Sequence, residues 1–303
     1  MSQVRRLRGS RSPGTGKTYS LSLLLDVYEI PRSTYYDQIK EPKEASQTPA
    51  KRGPKTEHTD DKVVEKIKEV LDESPFSGEG HRKVRVRLKL KGIHAGKTRV
   101  LRLMKENNLL APTRKKREAT KREHKGKIIT ERPNECWGGD ITEVMTVEDG
   151  KVSIFDIMDH CTDELLAIHV VKRANRFEAI ECLQQATRKE FGEAKKDAGR
   201  GVTLRLDHGS QFTSERYVNE AHFMGFEISY AFVGQPQCNG IIERWHRTLK
   251  EQLLWTKTWK NIDEVRGAVK AFVKTYNSQW LIERHGHRSP LDFRRSMKTK
   301  VAA

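Results

Sequence analysis

Along the first third of the chain apolar side chains recur every three to four residues, whereas beyond Pro133 alternating or continuous apolar runs take over. The first pattern is that of amphipathic helices and the second that of strands. Leu21, Leu24, Leu25 and Tyr28 share a helical face behind Ser20, a residue type that caps helix starts. Ile30-Pro31 breaks the pattern, and a second short helix opens with Arg32, Ser33, Thr34 and Tyr35. Residues 1–46 therefore read either as a helix-turn-helix, with Arg32 at the start of the recognition helix, or as a plain helical hairpin. Residues 47–56, with two prolines and a basic run, read as a linker.

Residues 57–112 repeat the theme. Thr59 is a candidate cap for a helix that buries Val63, Val64, Ile67, Val70 and Leu71. Arg82 to Lys91 predicts a second helix, ended by Gly92, and Lys97 to Asn107 a third with Val100, Leu103 and Met104 inward. Residues 113–132 are dominated by Lys, Arg, Glu and Thr, have little to bury, and form a basic linker able to order on DNA.

The segment 133–255 changes character. Trp137 to Val147, Val152 to Met158 and Leu165 to Val171 predict three strands, the first two joined by a turn at Glu148-Asp149-Gly150-Lys151. A helix from Phe177 to Phe191, a strand from Val202 to Leu206, a helix near Glu215 to Met224, a strand at Glu227 to Tyr230 and a helix from about Asn239 follow. Three antiparallel strands followed by alternating helices and strands make a mixed α/β sheet flanked by helices, the order of a ribonuclease-H-like fold preceded by small all-α domains. Residues 256–303 form a C-terminal helical segment, with a helix from Asp263 to Tyr276.

Charge sharpens the division. The formal net charge is +17, and residues 1–132 hold 33 Lys and Arg against 17 Asp and Glu, while residues 133–303 hold 25 against 24. Basic modules thus precede a nearly neutral body, which points to a polyanion partner. The basic run Arg82, Lys83, Arg85, Arg87 and Lys89 could be a solvated face, but like charges at helical spacing repel and phosphates would offset them. The four cysteines contain no C-x-x-C pair, so neither a zinc site nor a disulfide framework is indicated, and free thiols in a reducing cytoplasm are expected. No apolar run reaches the length of a membrane span and no signal peptide is recognisable, so the expectation is a soluble intracellular protein. Ser12 to Thr18 mimics a phosphate-binding loop, yet Arg11 stands where glycine is required and the preceding Val4 to Arg8 is no buried strand.

Three acids stand out by position. Asp140 lies inside a strand, Asp207 ends one, and Glu243 sits on a helix. A charge within an apolar strand is costly unless paired or metal-bound. Convergent carboxylates without His or Cys favour a hard cation such as Mg²⁺ or Mn²⁺. Two such ions suit phosphodiester chemistry, one activating the attacking oxygen and one stabilising the leaving 3′ oxygen.

The surrounding words make a resemblance specific. Trp137-Gly-Gly-Asp-Ile-Thr142, Asp207-His-Gly-Ser-Gln-Phe-Thr213, Pro236-Gln-Cys-Asn-Gly240 and Glu243-Arg-Trp-His-Arg-Thr-Leu-Lys250 carry it, and 35 residues separate Asp207 from Glu243. The chain resembles insertion-sequence transposases of the IS-three type, which share the Asp-Asp-Glu triad of retroviral integrases. Gly78 to Leu110 resembles that family's second helix-turn-helix. The resemblance implies a transposase that cleaves and transfers DNA strands at insertion-sequence ends, with Asp140, Asp207 and Glu243 as catalytic metal ligands. It implies DNA contacts from Arg247 and Lys250, four and seven residues beyond Glu243, and from Asn239 in the loop ahead of the catalytic helix. Arg82, Lys83, Arg85, Lys97 and Arg32 are the candidate DNA contacts of the helical modules. His208 beside Asp207 either tunes the site or stands by.

Gly139 and Cys136 depart from the family pattern, which places threonine before the first acid and a larger or polar residue at 136. The zinc-binding His/Cys module of retroviral integrases is absent. Implied partners are double-stranded DNA, as terminal inverted repeats and target, further copies of the chain on that DNA, and an upstream-frame fusion or partner protein. The implied location is the bacterial cytoplasm at the nucleoid, with no membrane. A ribonuclease H or structure-specific nuclease would share fold and metals but not the basic modules, and a repressor or decayed transposase would leave the acids without a role.

Overall fold

A computed structural model describes residues 2–39, 57–111, 129–230 and 240–301, divided between two compact units, Met1–Thr56 and Glu57–Ala303. The linker expected at 47–56 and most of that at 113–132 lie outside the described residues.

In the first unit, α1 (Ser2–Leu7), α2 (Leu21–Val27) and α3 (Arg32–Ile39) pack on Val4, Leu24, Leu25 and Tyr35. Ser20 caps α2 by accepting from the Leu23 amide at 3.2 Å. Helix α1 was not legible in its arginine-rich sequence, because it buries only Val4. The segment resembling a phosphate-binding loop is a closed turn, with Ser12 N donating to Lys17 O at 2.9 Å and Arg11 bridged to Thr18. Helix α1 precedes it, not a strand, so the phosphate-loop geometry is missing.

The second unit begins with α4 (Asp60–Glu73), α5 (His81–Leu90) and α6 (Lys97–Glu106). Thr59 caps α4, Gly92 ends α5 at a φ of +79° that glycine adopts without strain, and Val63, Ile67, Val84, Leu88, Val100 and Met104 form the core.

A five-stranded sheet follows, ordered β3-β2-β1-β4-β5. Its strands are β1 (Cys136–Thr146), β2 (Gly150–Asp159), β3 (Leu165–Val171), β4 (Thr203–Leu206) and β5 (Glu227–Tyr230). Strand β2 is antiparallel to β1 and β3, whereas β4 is parallel to β1 and β5. Side chains alternate between two apolar layers. Trp137, Phe155, Ile157, Leu204 and Leu206 face α7 (Arg176–Phe191) and α9 (Glu215–Phe223). Ile154 and Met158 face α10 (Gly240–Leu249) and α11 (Ile262–Gln279) through Ile242, Trp245, Leu249 and Val269. A short α8 (Ser210–Thr213), unexpected from sequence, follows β4, a π-helical turn (Lys250–Leu254) extends α10, and α12 (Pro290–Val301) closes the chain.

The helical part of this unit is seated on the core. Phe76, 2% exposed, enters the apolar layer of α10 and α11 and meets Phe272 and Trp280 edge-on. Ser77 N donates to Gln252 Oε1 at 2.9 Å, and Gln252 Nε2 returns a bond to Ser77 O at 3.0 Å.

Candidate active site

The sheet topology places two of the three acids side by side. The parallel pairing of β1 and β4 ends at Gly138 with Arg205; Asp140 follows two residues later on β1, and Asp207 follows Leu206 at the end of β4. Carboxyl ends of neighbouring parallel strands are where α/β sheets gather functional groups. Asp140 accepts the Ile141 amide on Oδ1 at 2.7 Å, and Asp207 accepts the Gly209 amide on Oδ1 at 2.9 Å. Both side chains are partly buried.

Burial pushes the Asp140 carboxyl up to about 6, and the charges of Asp156 and Asp207 push the same way against His246. Asp207 is thus close enough to Asp140 to disfavour its ionisation. Two oxygen-donor acids whose charges oppose one another suit a hard divalent cation, which would relieve that repulsion.

Glu243 lies in the first turn of α10 and is exposed. Among the described residues no three His, Cys, Asp or Glu side chains form an ion-holding group. Arg247 is exposed on the same helix, and Asn239 lies outside the described residues. Lys250 lines a cleft of about 480 Å³ together with Ile141, Thr142, Glu143, Ala174 and Gln211. His208 stacks on Tyr230, centroids 5.3 Å apart. A larger groove, about 800 Å³, runs along β3 and α11 and contains none of the three acids.

The basic residues of α5 divide. Arg82 pairs with Glu283, and Lys83 Nζ sits 3.0 Å from the Trp280 ring centroid, where burial lowers its ammonium to about 8. Arg87 bonds Glu79 Oε2 at 2.5 Å and reaches Gln279 O at 3.4 Å. These three serve contacts within the protein; Arg85, whose Nε reaches Ala95 O at 3.3 Å, and Lys97 are exposed, as are Arg82 and, in the first unit, Arg32.

Sequence reasoning missed Asp156 and His246. His246 Nε2 lies 2.7 Å from Asp156 Oδ2, and its Nδ1 lies 3.5 Å from Asp140 Oδ2. Burial opposes the imidazolium, but Asp156 and Asp140 outweigh it and raise His246 above its ordinary value. The signal for Asp156 was present, since it is a charge inside the apolar strand Val152 to Met158, the feature that singled out Asp140.

Comparison with known proteins fits this architecture. Residues 130–236 and 224–290 each match an integrase core domain, and residues 58–117 match an HTH-like domain. The transposase for insertion sequence element IS629 of Shigella sonnei is 28% identical over 283 residues, covering 90% of this chain and 91% of that protein. InsK of insertion sequence element IS150 from Escherichia coli K12 is 27% identical, covering 91% of this chain and 94% of that protein. Among solved structures, the catalytic core domain of BIV integrase is similar at 19% identity with a TM-score of 0.42, covering 56% of this chain and 99% of that one. With an HTH-like domain ahead of an integrase core and relatives matched along nearly their whole length, the chain belongs to the integrase-core family of insertion-sequence transposases, the DDE-type polynucleotidyl transferases.

Proposed function

We propose that the protein cleaves DNA at the ends of an insertion sequence and joins those ends to target DNA by two-metal-ion chemistry, with Asp140, Asp207 and Glu243 as the metal ligands. The observation that carries this reading is the placement of Asp207, at the end of β4, beside Asp140 on the neighbouring strand β1, where the charge of Asp207 opposes the ionisation of Asp140. When bound, Mg²⁺ or Mn²⁺ would supply Lewis acidity toward the attacking and leaving oxygens of the phosphodiester. Asp140 and Asp207, each oriented by a backbone amide, would be two of the ligands, and Glu243 in the first turn of α10 would be the third.

DNA contacts fall to Arg247 and Lys250 near the acids and to Arg85, Lys97 and Arg32 on the helical modules, while Arg82 and Lys83 hold the second helical module to the core. Because two DNA ends must be paired, the working form is a homo-oligomer on DNA. A partner or fusion encoded upstream would supply functions beyond this chain. No described helix is long and apolar enough to cross a membrane.

The test is strand cleavage and joining on a duplex bearing the element's terminal repeat, with Mg²⁺ or Mn²⁺, for native protein and Asp207→Asn. Metal-dependent products that vanish in the variant support the reading; binding without cleavage by the native chain would overturn it.

A further inference from the structure

The proposed chemistry leaves the buried carboxylate of Asp156 without a task. Asp156 has no exposed side-chain surface and stands directly opposite Asp140 across the antiparallel β1–β2 pair. Like charges so placed destabilise a sheet, and a buried carboxylate must be compensated by partners. Both partners of Asp156 come from one helix. Trp245 Nε1 donates to Oδ2 at 3.0 Å and His246 Nε2 lies 2.7 Å from the same oxygen, while Oδ1 has no hydrogen-bond partner among the described residues. Trp245 and His246 are the second and third residues after Glu243 on α10. The other nitrogen of His246 lies 3.5 Å from Asp140 Oδ2.

An apolar residue at 156 would pack beside Ile154 and Met158 without this compensation. A charge there instead selects one placement of α10, because the helix cannot turn or slide without stranding the carboxylate. That placement governs how far Glu243 stands from Asp140.

We propose that Asp156 is a positioning residue of the active site: by accepting from Trp245 and holding His246, it fixes the turn of α10 that carries Glu243 against the strand that carries Asp140. This rests on the assignment of Asp140, Asp207 and Glu243 as metal ligands. Asp156 itself stays off the metal and acts through the helix.

The experiment measures Mn²⁺ binding to the full chain from the electron paramagnetic resonance signal of free Mn²⁺, beside thermal unfolding and cleavage of the terminal-repeat duplex. Asp156→Asn keeps an oxygen that can accept from both the indole and the imidazole, whereas Asp156→Val keeps none. Loss of such an outer ligand support weakens metal affinity by about tenfold or more, so Asp156→Val should show that loss with a cooperative melt while Asp156→Asn stays within about threefold of native. A folded Asp156→Val that binds Mn²⁺ like the native chain, or an Asp156→Asn that loses as much as Asp156→Val, overturns the proposal. Should Asp156→Val fail to fold, the double variant Asp156→Asn with His246→Leu takes its place. It should bind Mn²⁺ about tenfold more weakly than Asp156→Asn alone, and equal binding overturns the proposal. A native chain that neither binds Mn²⁺ nor cuts DNA sinks the transposase reading and this proposal together. A native chain that does both while the folded variants match it sinks this proposal alone.

Discussion

Leu206 leaves no room for a β-carbon at Gly139: one built there would lie 2.7 Å from Leu206 Cδ2, in a side chain that is itself fully buried. The departure from threonine before the first acid is thus matched by the neighbouring strand. Gly139→Thr should destabilise the core by roughly 1–3 kcal/mol through overpacking. Combined with Leu206→Ala, its cost should fall below the sum of the single effects by about 1 kcal/mol or more. Denaturant unfolding of the four proteins measures this, and additive costs would show that the backbone shifts instead.

His160 offers a pH test. Its ring is buried, neither nitrogen has a hydrogen-bond partner among the described residues, and burial lowers it from 6.5 to about 4. The unfolded chain therefore binds a proton that the folded chain refuses between those values. Stability from this group is fully present above 6.5 and falls as pH drops toward 4, by up to roughly 3 kcal/mol. His160→Phe should hold its stability better than the native chain between pH 6.5 and pH 5 in urea unfolding. Parallel pH profiles would contradict the assignment.

The division of α5 predicts unequal effects on DNA. Arg85→Ala and Lys97→Ala should each weaken duplex binding and lower the salt slope by about 1. Lys83→Met, which keeps its packing on Trp280, should leave both unchanged. Fluorescence anisotropy titrations at several salt concentrations would decide, and a reduced slope in Lys83→Met would return that lysine to the DNA face.

Arg294 of α12 holds Glu164 Oε2 at 2.6 Å and also binds Glu190. Burial would raise Glu164, but Lys189 and Arg294 outweigh it and hold the carboxyl below its ordinary value. Removing one partner of a buried pair costs about 3–5 kcal/mol, which Arg294→Leu should show near neutral pH. Because the stabilisation belongs to ionised Glu164, the gap between native and variant should narrow as pH falls through its titration. A pH-independent gap would assign the loss to packing alone.

The candidate site stood out in the sequence because its residues break local rules: Asp140 interrupts an apolar strand, and Asp207 and Glu243 stand in distinctive words at a set spacing. The sheet was readable from alternation and from the glycine turn at Gly150, with β1 displaced by one residue from its expected limits. Periodicity reports which face of an element is buried but not what covers it. The seat of Phe76 between Phe272 and Trp280, and the pairing of His246 with Asp156, join residues 89 or more positions apart. Nor could the α5 charges be sorted, since Arg82 and Arg85 look alike until Glu283 is beside one of them.

Phe76 shares one apolar layer with Ile242, Trp245 and Leu249 of the helix that bears Glu243. A module wedged there cannot swing independently of that helix. On the proposed assignments, the number of base pairs between the sequence read by α5 and α6 and the phosphate that is cut becomes a dimension of the protein's interior, so the molecule measures DNA as a caliper does, by the fixed separation of its jaws.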